Sequence, residues 1–145
     1  MSKELLIQDL NQDLTAEWST IARYMVQANQ VRDKVGNELH HIFLQEVEDR
    51  LEHITYLTDI IVRLGGQPTT VAEVYETMDD LPAMLKLDLS LESEQVERYR
   101  QHAKLAAELG QDELKRRLET IAANEAKYVE VLRHLINVEL PAPAS

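Results

Sequence analysis

The sequence contains no cysteine, only four glycines and four prolines, and a single tryptophan and phenylalanine among its 145 residues. Without cysteine there are no disulfide bonds, thiolate metal ligands or cysteine nucleophiles, so a metal would have to bind carboxylate, imidazole or phenol groups. No stretch reaches the roughly 18 apolar residues of a membrane-spanning helix, and the N-terminal sequence MSKELLIQDL lacks the apolar run of a signal peptide. We therefore expect a cytoplasmic protein.

Basic residues are also few: 15 lysines and arginines face 26 acidic residues, for a net charge of −11. A chain this acidic repels nucleic acid unless it carries a basic patch, and the longest basic cluster, LKRRL at 114–118, is typical of a solvated helix face. Metal cations are the partners that such a surface attracts. With 44% hydrophobic residues, the composition indicates one globular domain over residues 1–140, followed by a short disordered tail at 141–145.

Apolar residues recur with helical spacing in four long segments. The predicted helices are α1 at Glu4–Gln30, α2 at Glu38–Leu64, α3 at Leu81–Leu109 and α4 at Asp112–Val138. Gly65-Gly66 and Gly110 are expected to end helices, while Asp79 or Asp80 caps α3 and Pro82 occupies its first turn. The α1–α2 and α3–α4 connections are short, whereas residues 66–80 are long enough to cross the molecule. These lengths predict an all-α, antiparallel four-helix bundle with one long crossover between the second and third helices.

Polar side chains interrupt the apolar line of every predicted helix near its middle. The interrupting residues are Glu17, Arg50, His53, Glu92, Glu125 and Tyr128. In α2 the expected core line is Leu51, Ile54, Ile61 and Leu64. In an antiparallel bundle such mid-helix positions fall at about one level, and burying unpaired charge there costs several kcal/mol. A polar layer of this kind therefore needs a metal or internal ion pairs.

Three segments resemble bacterioferritin-type members of the ferritin-like family. They are AEWSTIARYM, which contains Glu17 and Tyr24 seven residues apart, HITYLTDIIVRLGGQP in α2, and LPAMLKLDLSLE leading into α3. The resemblance covers nearly the whole chain and implies a ferritin-like bundle. It also implies a di-iron ferroxidase site built from one glutamate on each of α1 and α3 and a Glu-x-x-His pair on each of α2 and α4.

Four residues match the ligands that the resemblance implies. Glu17 and Glu92 correspond to the single glutamates of α1 and α3, and His53 corresponds to the histidine of α2. Glu125 corresponds to the glutamate of α4 that bridges the two metals. These residues are the expected ligands for iron, or for manganese or zinc.

Two positions depart from the family pattern. Arg50 stands where α2 should carry its bridging glutamate, and Tyr128 stands where α4 should carry its histidine. The Tyr128 phenol becomes a candidate fifth ligand, and Tyr24 is expected beside the site. We expect Arg50 to act as a tethered cation in place of one metal, with bidentate hydrogen bonds to Glu92 or Glu125.

The departures leave several functions open. The leading interpretation is an iron-binding protein of iron storage or homeostasis whose altered centre holds one metal, or a weak asymmetric pair, with weak or absent ferroxidase activity. The alternative is a metal-free structural or binding module in which Arg50–glutamate ion pairs replace the di-iron site. A working two-metal site could recruit Glu46 or Asp49, each of which is better interpreted as part of a solvated or inter-helix ion pair. Oxidation of an organic substrate is a third class that no motif favours.

The resemblance also bears on haem and assembly. The family's haem-binding methionine falls at Leu51, so we expect no haem. The sequence ends where the family's short fifth helix would begin, which favours a dimer or 12-mer over a 24-mer. We expect a homo-oligomer because the outer faces of α1 and α2 carry apolar residues beyond what one core line needs, such as Ile42, Leu44 and Val47 of α2.

Histidines at the start of α2 offer a second, weaker metal motif. Glu38 and His41 form a literal Glu-x-x-His, with His40 between them and His134 at the matching end of α4. We interpret these as ordinary exposed histidines.

Overall fold

A computed structural model describes residues 3–32, 37–73 and 78–139, and its regular structure is entirely helical. The helices are α1 Lys3–Val31, α2 Asn37–Arg63, α3 Leu81–Glu108 and α4 Asp112–Glu139. Each predicted boundary lies within one residue of the observed one. The predicted tail at 141–145 falls outside the described residues. None of the described helices is long and apolar enough to cross a membrane.

Local sequence signals fix the ends of the helices. The Asp80 side chain accepts a hydrogen bond from the Ala83 backbone N–H at 3.0 Å, and Pro82 lies in the first turn of α3. Gly65 and Gly110 follow α2 and α3 with φ values of +88° and +74°. Glycine adopts this left-handed conformation without the steric cost that a Cβ imposes.

The chain divides into two compact units, residues 1–77 with α1 and α2, and residues 78–145 with α3 and α4. In the first unit the helices are antiparallel. His40 near the start of α2 donates from Nδ1 to the carbonyl oxygen of Ala28 near the end of α1, at 2.7 Å. One turn further into α2, Phe43 stacks on Tyr24 with ring centroids 5.4 Å apart.

The buried face of α2 corrects two predictions from the sequence. Leu51, expected in the core line, is 48% exposed, and Arg50 beside it is fully buried. Val47, expected on the outer face, is buried, whereas Ile42 and Leu44 are half-buried. The reason is the helical phase, which is set by the buried Phe43, Val47, Ile54, Leu57, Ile61 and Leu64. An α-helix turns by about 100° per residue, so a phase that places Arg50 inside turns Leu51 outward.

The segment that leaves α2 runs back along α1. The Asn11 amide donates to the Gln67 carbonyl oxygen at 3.0 Å and accepts from the Thr69 backbone N–H at 2.9 Å. The Trp18 indole N–H donates to the Thr69 carbonyl oxygen, also at 3.0 Å. Further along, the Glu73 N–H donates to the Ser19 hydroxyl at 2.8 Å. These side chains satisfy backbone groups of a segment that has no helical hydrogen bonds of its own.

The second unit is the hairpin of α3 and α4. Its helices share a surface groove of about 220 Å³, lined by Ser93 and Val96 of α3 and by Ala126 and Val129 of α4. A neighbouring groove is lined by Lys104 on the later part of α3 and by Glu119, Ala122 and Ala123 on the earlier part of α4. Later residues of one helix thus meet earlier residues of the other, so this pair is antiparallel as well.

Candidate metal centre

The middle of α1 carries a fully buried carboxylate, Glu17. The buried face around it includes Leu10 and Leu14 on one side and Tyr24 and Ala28 on the other. Burial of an ionised carboxylate among such residues is costly unless cations or hydrogen-bond donors face it. Glu17 therefore depends on the polar side chains of the facing helix.

Two residues of α2 supply these partners. The His53 Nδ1 lies 3.3 Å from Glu17 Oε2, and an Nδ1–H there donates to the carboxylate. The Arg50 Nη1 lies 3.7 Å from Glu17 Oε1, within ion-pair range but beyond hydrogen-bonding distance. Each Glu17 oxygen thus faces a different group of α2.

Arg50 has a second carboxylate partner on its own helix. Its Nε and Nη2 donate to Glu46 Oε1 at 3.2 and 3.1 Å. The Arg50 side chain is fully buried and that of Glu46 is 12% exposed. Glu46 therefore forms an ion pair within its own helix, with a fully buried partner, which differs from the solvated or inter-helix pair expected from the sequence. Asp49, the other residue considered for recruitment, lies on the exposed side of α2 and accepts from the Gln45 amide at 3.4 Å.

The spacing of Glu17 and His53 fits a divalent metal ion. Two ligand atoms bound to one ion at about 2.0–2.2 Å lie roughly 3–3.5 Å apart, depending on the coordination angle. The 3.3 Å between Glu17 Oε2 and His53 Nδ1 falls in this range. An Nδ1–H and a metal ion would use the same ring-nitrogen lone pair, so a metal ion would bind His53 in place of this hydrogen bond. The His53 side chain is 11% exposed, whereas the Glu17 side chain is fully buried.

The second hairpin buries the remaining predicted ligands. Glu92 of α3 and Glu125 of α4 are 0% and 1% exposed, and Tyr128, three residues after Glu125, is 5% exposed. The groove that Ser93 shares with Ala126 puts the two glutamates at the same level of this hairpin. Carboxylate and phenol oxygens are donors suited to Fe(II), Mn(II) or Zn(II). The predicted hydrogen bonds from Arg50 to Glu92 or Glu125 remain a prediction.

Tyr24, expected beside the ligands, lies in the α1–α2 core. Its ring stacks on Phe43, and the Arg23 guanidinium lies 4.9 Å from its centroid. Its expected place beside the metal ligands remains a prediction.

The histidines at the start of α2 differ from expectation in one respect. His41 and His134 are exposed, as predicted, but His40 is 9% exposed and bonded to Ala28. The Ala28 carbonyl belongs to the last turn of α1, where helical carbonyl oxygens lack intrahelical donors. His40 therefore serves as a donor to the end of the neighbouring helix.

The sequences of α1 and α3 share a repeated pattern that apolar spacing alone does not reveal. Asp13, Glu17, Arg23, Tyr24 and Ala28 recur as Asp88, Glu92, Arg98, Tyr99 and Ala103, with a constant offset of 75 residues. Glu17 and Glu92 thus occupy equivalent places in the two helices. The repeat also identifies Asp13 and Asp88, two fully buried carboxylates one turn before them that the apolar pattern did not reveal.

Comparisons with known proteins agree with this arrangement. The ferritin-like domain profile matches residues 7–139. A Bacillus anthracis str. Ames protein described as a ferritin-like, diiron-carboxylate protein superposes with a TM-score of 0.90 and 34% identity, over 94% of this chain and 100% of that one. Desulfovibrio desulfuricans bacterioferritin, described with a diiron site, superposes with a TM-score of 0.86 and 26% identity. The match covers 92% of this chain and 79% of that one. No curated protein sequence matches the chain.

A third structure supports the fold alone. Rhodobacter capsulatus bacterioferritin, with 20% identity, covers 100% of this chain and 99% of its own, with a TM-score of 0.88. The predicted all-α, ferritin-like four-helix class and the bacterioferritin-type resemblance are both confirmed. The chain belongs to the ferritin-like family.

Proposed function

We propose that this chain is an iron-binding protein of iron storage or homeostasis with an altered ferroxidase centre that holds one metal ion. The observation that carries the proposal is the buried Glu17–His53 pair, whose facing oxygen and nitrogen lie 3.3 Å apart. This is the spacing of two ligands on one divalent ion. The relatives described as diiron-carboxylate proteins favour iron as that ion, with manganese or zinc as substitutes of similar ligand preference.

The family pattern supplies the remaining ligands. In ferritin-like carboxylate proteins the glutamates and histidines of all four helices project inward to a shared site. We therefore propose Glu125 as the third ligand of the ion at Glu17 and His53. Glu92 and Tyr128 would form a poorer second position.

Charge explains why one metal is favoured over two. A di-iron centre sets four carboxylates against two divalent cations. Here three glutamates and Arg50 sum to −2, which one divalent ion neutralises. Two-electron reduction of O₂ uses paired irons, so we propose that ferroxidase activity is weak or absent.

The alternative function is a metal-free structural or binding module. The contacts of Arg50 with Glu17 and Glu46 favour it, because they already supply a cation to the buried carboxylates. If ion pairs replace the metals, the fold persists without them, and the protein functions in assembly or partner binding.

Metal content separates the two functions. Protein refolded with Fe(II), Mn(II) or Zn(II) in turn is expected to hold one ion per chain. His53→Ala should lose that ion, whereas His41→Ala, at an exposed histidine, should keep it. Arg50→Glu should bind two. Wild-type protein without metal beside an Arg50→Glu variant that binds it would show that Arg50 has replaced the metals, and the iron-binding function would be wrong.

We further propose a cytoplasmic homo-oligomer that binds no haem. Leu51 presents an alkyl side chain, which cannot ligate iron, at the position of the family's haem methionine. It is 48% exposed, and Met25 and Val26 of α1 are 43% and 42% exposed. Contact with a second copy of the chain would remove these apolar side chains from water.

A further inference from the structure

The contacts of Arg50 with two carboxylates of its own hairpin, Glu46 and Glu17, differ in kind. Its Nε and Nη2 lie 3.2 and 3.1 Å from Glu46 Oε1, which are hydrogen-bonding distances. Its Nη1 lies 3.7 Å from Glu17 Oε1, which is an ion-pair contact without a hydrogen bond. The guanidinium is thus directed toward Glu46 rather than toward the carboxylate that pairs with His53.

The spacing of Glu46 and Arg50 on α2 affects how strongly the Arg50 charge acts on Glu17. Glu46 lies one turn before Arg50 on α2, so the helix itself holds the two at pairing distance. Glu17 and Glu46 together with Arg50 carry a net charge of −1. Without the Glu46 charge, Arg50 would lose two charge-assisted hydrogen bonds, and more of its positive charge would act on Glu17.

We propose that Glu46 is a positioning residue that holds the Arg50 guanidinium away from Glu17, and so keeps the Glu17 carboxylate available to a divalent cation. This inference rests on the proposed metal-binding function and adds a determinant of cation affinity outside the ligand set. Glu46 binds no metal in this account. It acts through Arg50.

The first test is a double-mutant cycle on metal affinity. Calorimetric titration with Zn(II) and Mn(II) should show binding weaker by about tenfold or more in Glu46→Gln, because Arg50 then competes for Glu17. In an Arg50→Gln background the same Glu46→Gln change should have no such effect. Glu52→Gln, which removes an exposed acidic charge from the same helix, should bind as wild type does.

Two results of this cycle would overturn the inference. Unchanged affinity in Glu46→Gln would show that Glu46 does not control the site. An equal loss in both backgrounds would show that Glu46 acts on the metal directly, as a ligand, and not through Arg50.

A second measurement separates this inference from the proposed function. In a crystal structure of metal-free Glu46→Gln, the distance between Arg50 Nη1 and Glu17 Oε1 should shorten from 3.7 Å to a hydrogen-bonding distance of about 3 Å. If no variant binds metal, the proposed function fails, yet this distance still decides what Glu46 does. An unchanged distance would contradict the positioning role, and the experiment needs no Arg50 variant.

Discussion

At the scale of single residues, Arg50 places a fully buried cation in the middle of α2. A fully buried guanidinium is tolerated because Glu46 and Glu17 face it. Removing one member of a buried ion pair leaves the others buried without their counter-charge, and that loss is larger than the net stabilisation the pair provides.

Arg50→Gln should therefore destabilise the metal-free protein by about 3 kcal/mol, at the lower end for a buried pair because Glu46 is partly solvated. Arg63→Gln is the matched control, since Arg63 pairs with Asp59 at the same i, i+4 spacing but on the surface. Exposed pairs contribute roughly 0–1 kcal/mol. Urea denaturation of both variants measures the two losses of unfolding free energy. Equal losses would show that the buried ion pairs of Arg50 stabilise the protein no more than a surface pair does.

The residue scale also shows where sequence reasoning fell short. The interruption of the apolar lines correctly identified Glu17, Arg50, His53, Glu92, Glu125 and Tyr128 as buried polar residues. It failed for Leu51 because hydrophobicity alone assigned a leucine to the core, although the flanking core residues set a phase that excludes it. The Glu46–Arg50 pair could not be foreseen, because an i, i+4 pair is equally compatible with a solvated face.

At the scale of the helices, the sequence predicted most of what the structure contains. The predicted helix boundaries were accurate because clear capping and stop residues mark them. Asp80 and Pro82 begin α3, and Gly65 and Gly110, which have positive φ, follow α2 and α3. These signals are local and therefore readable from sequence. The hydrogen bonds from Asn11 and Trp18 to the segment after α2 depend on tertiary packing and carry no such local signature.

Asp80→Ala should cost about 1 kcal/mol of unfolding free energy, because the Ala83 N–H loses its capping acceptor. Asp79→Ala makes the same charge change one residue earlier, at an exposed position outside the cap, and should cost a few tenths of a kcal/mol at most. Thermal or chemical denaturation of both variants provides the comparison. A greater loss of unfolding free energy in Asp79→Ala than in Asp80→Ala would show that Asp80 is not the N-cap of α3.

At the scale of the whole molecule, the chain combines an acidic surface with exposed apolar side chains. Its net charge of −11 favours solubility and attracts cations. Leu51, Met25 and Val26 on the first hairpin are the apolar residues that we expect a second copy to cover.

Leu51→Glu should therefore shift the protein to a smaller assembly, because it would place a charge in the interface. Val71→Glu, at a 67% exposed position in the segment after α2, should leave the assembly unchanged. Sedimentation velocity on the metal-free proteins measures both. If the wild type is already monomeric, or if Val71→Glu dissociates it and Leu51→Glu does not, the proposed interface is wrong.

Anomalous diffraction from crystals grown with Fe(II) without oxygen would show whether one metal ion binds at Glu17 and His53. We expect one strong peak per chain, about 2.0–2.3 Å from a Glu17 oxygen and a His53 nitrogen. Two peaks of equal strength would show an intact di-iron centre despite Arg50. No peak at these residues, with the ion pairs of Arg50 in place, would contradict metal binding altogether.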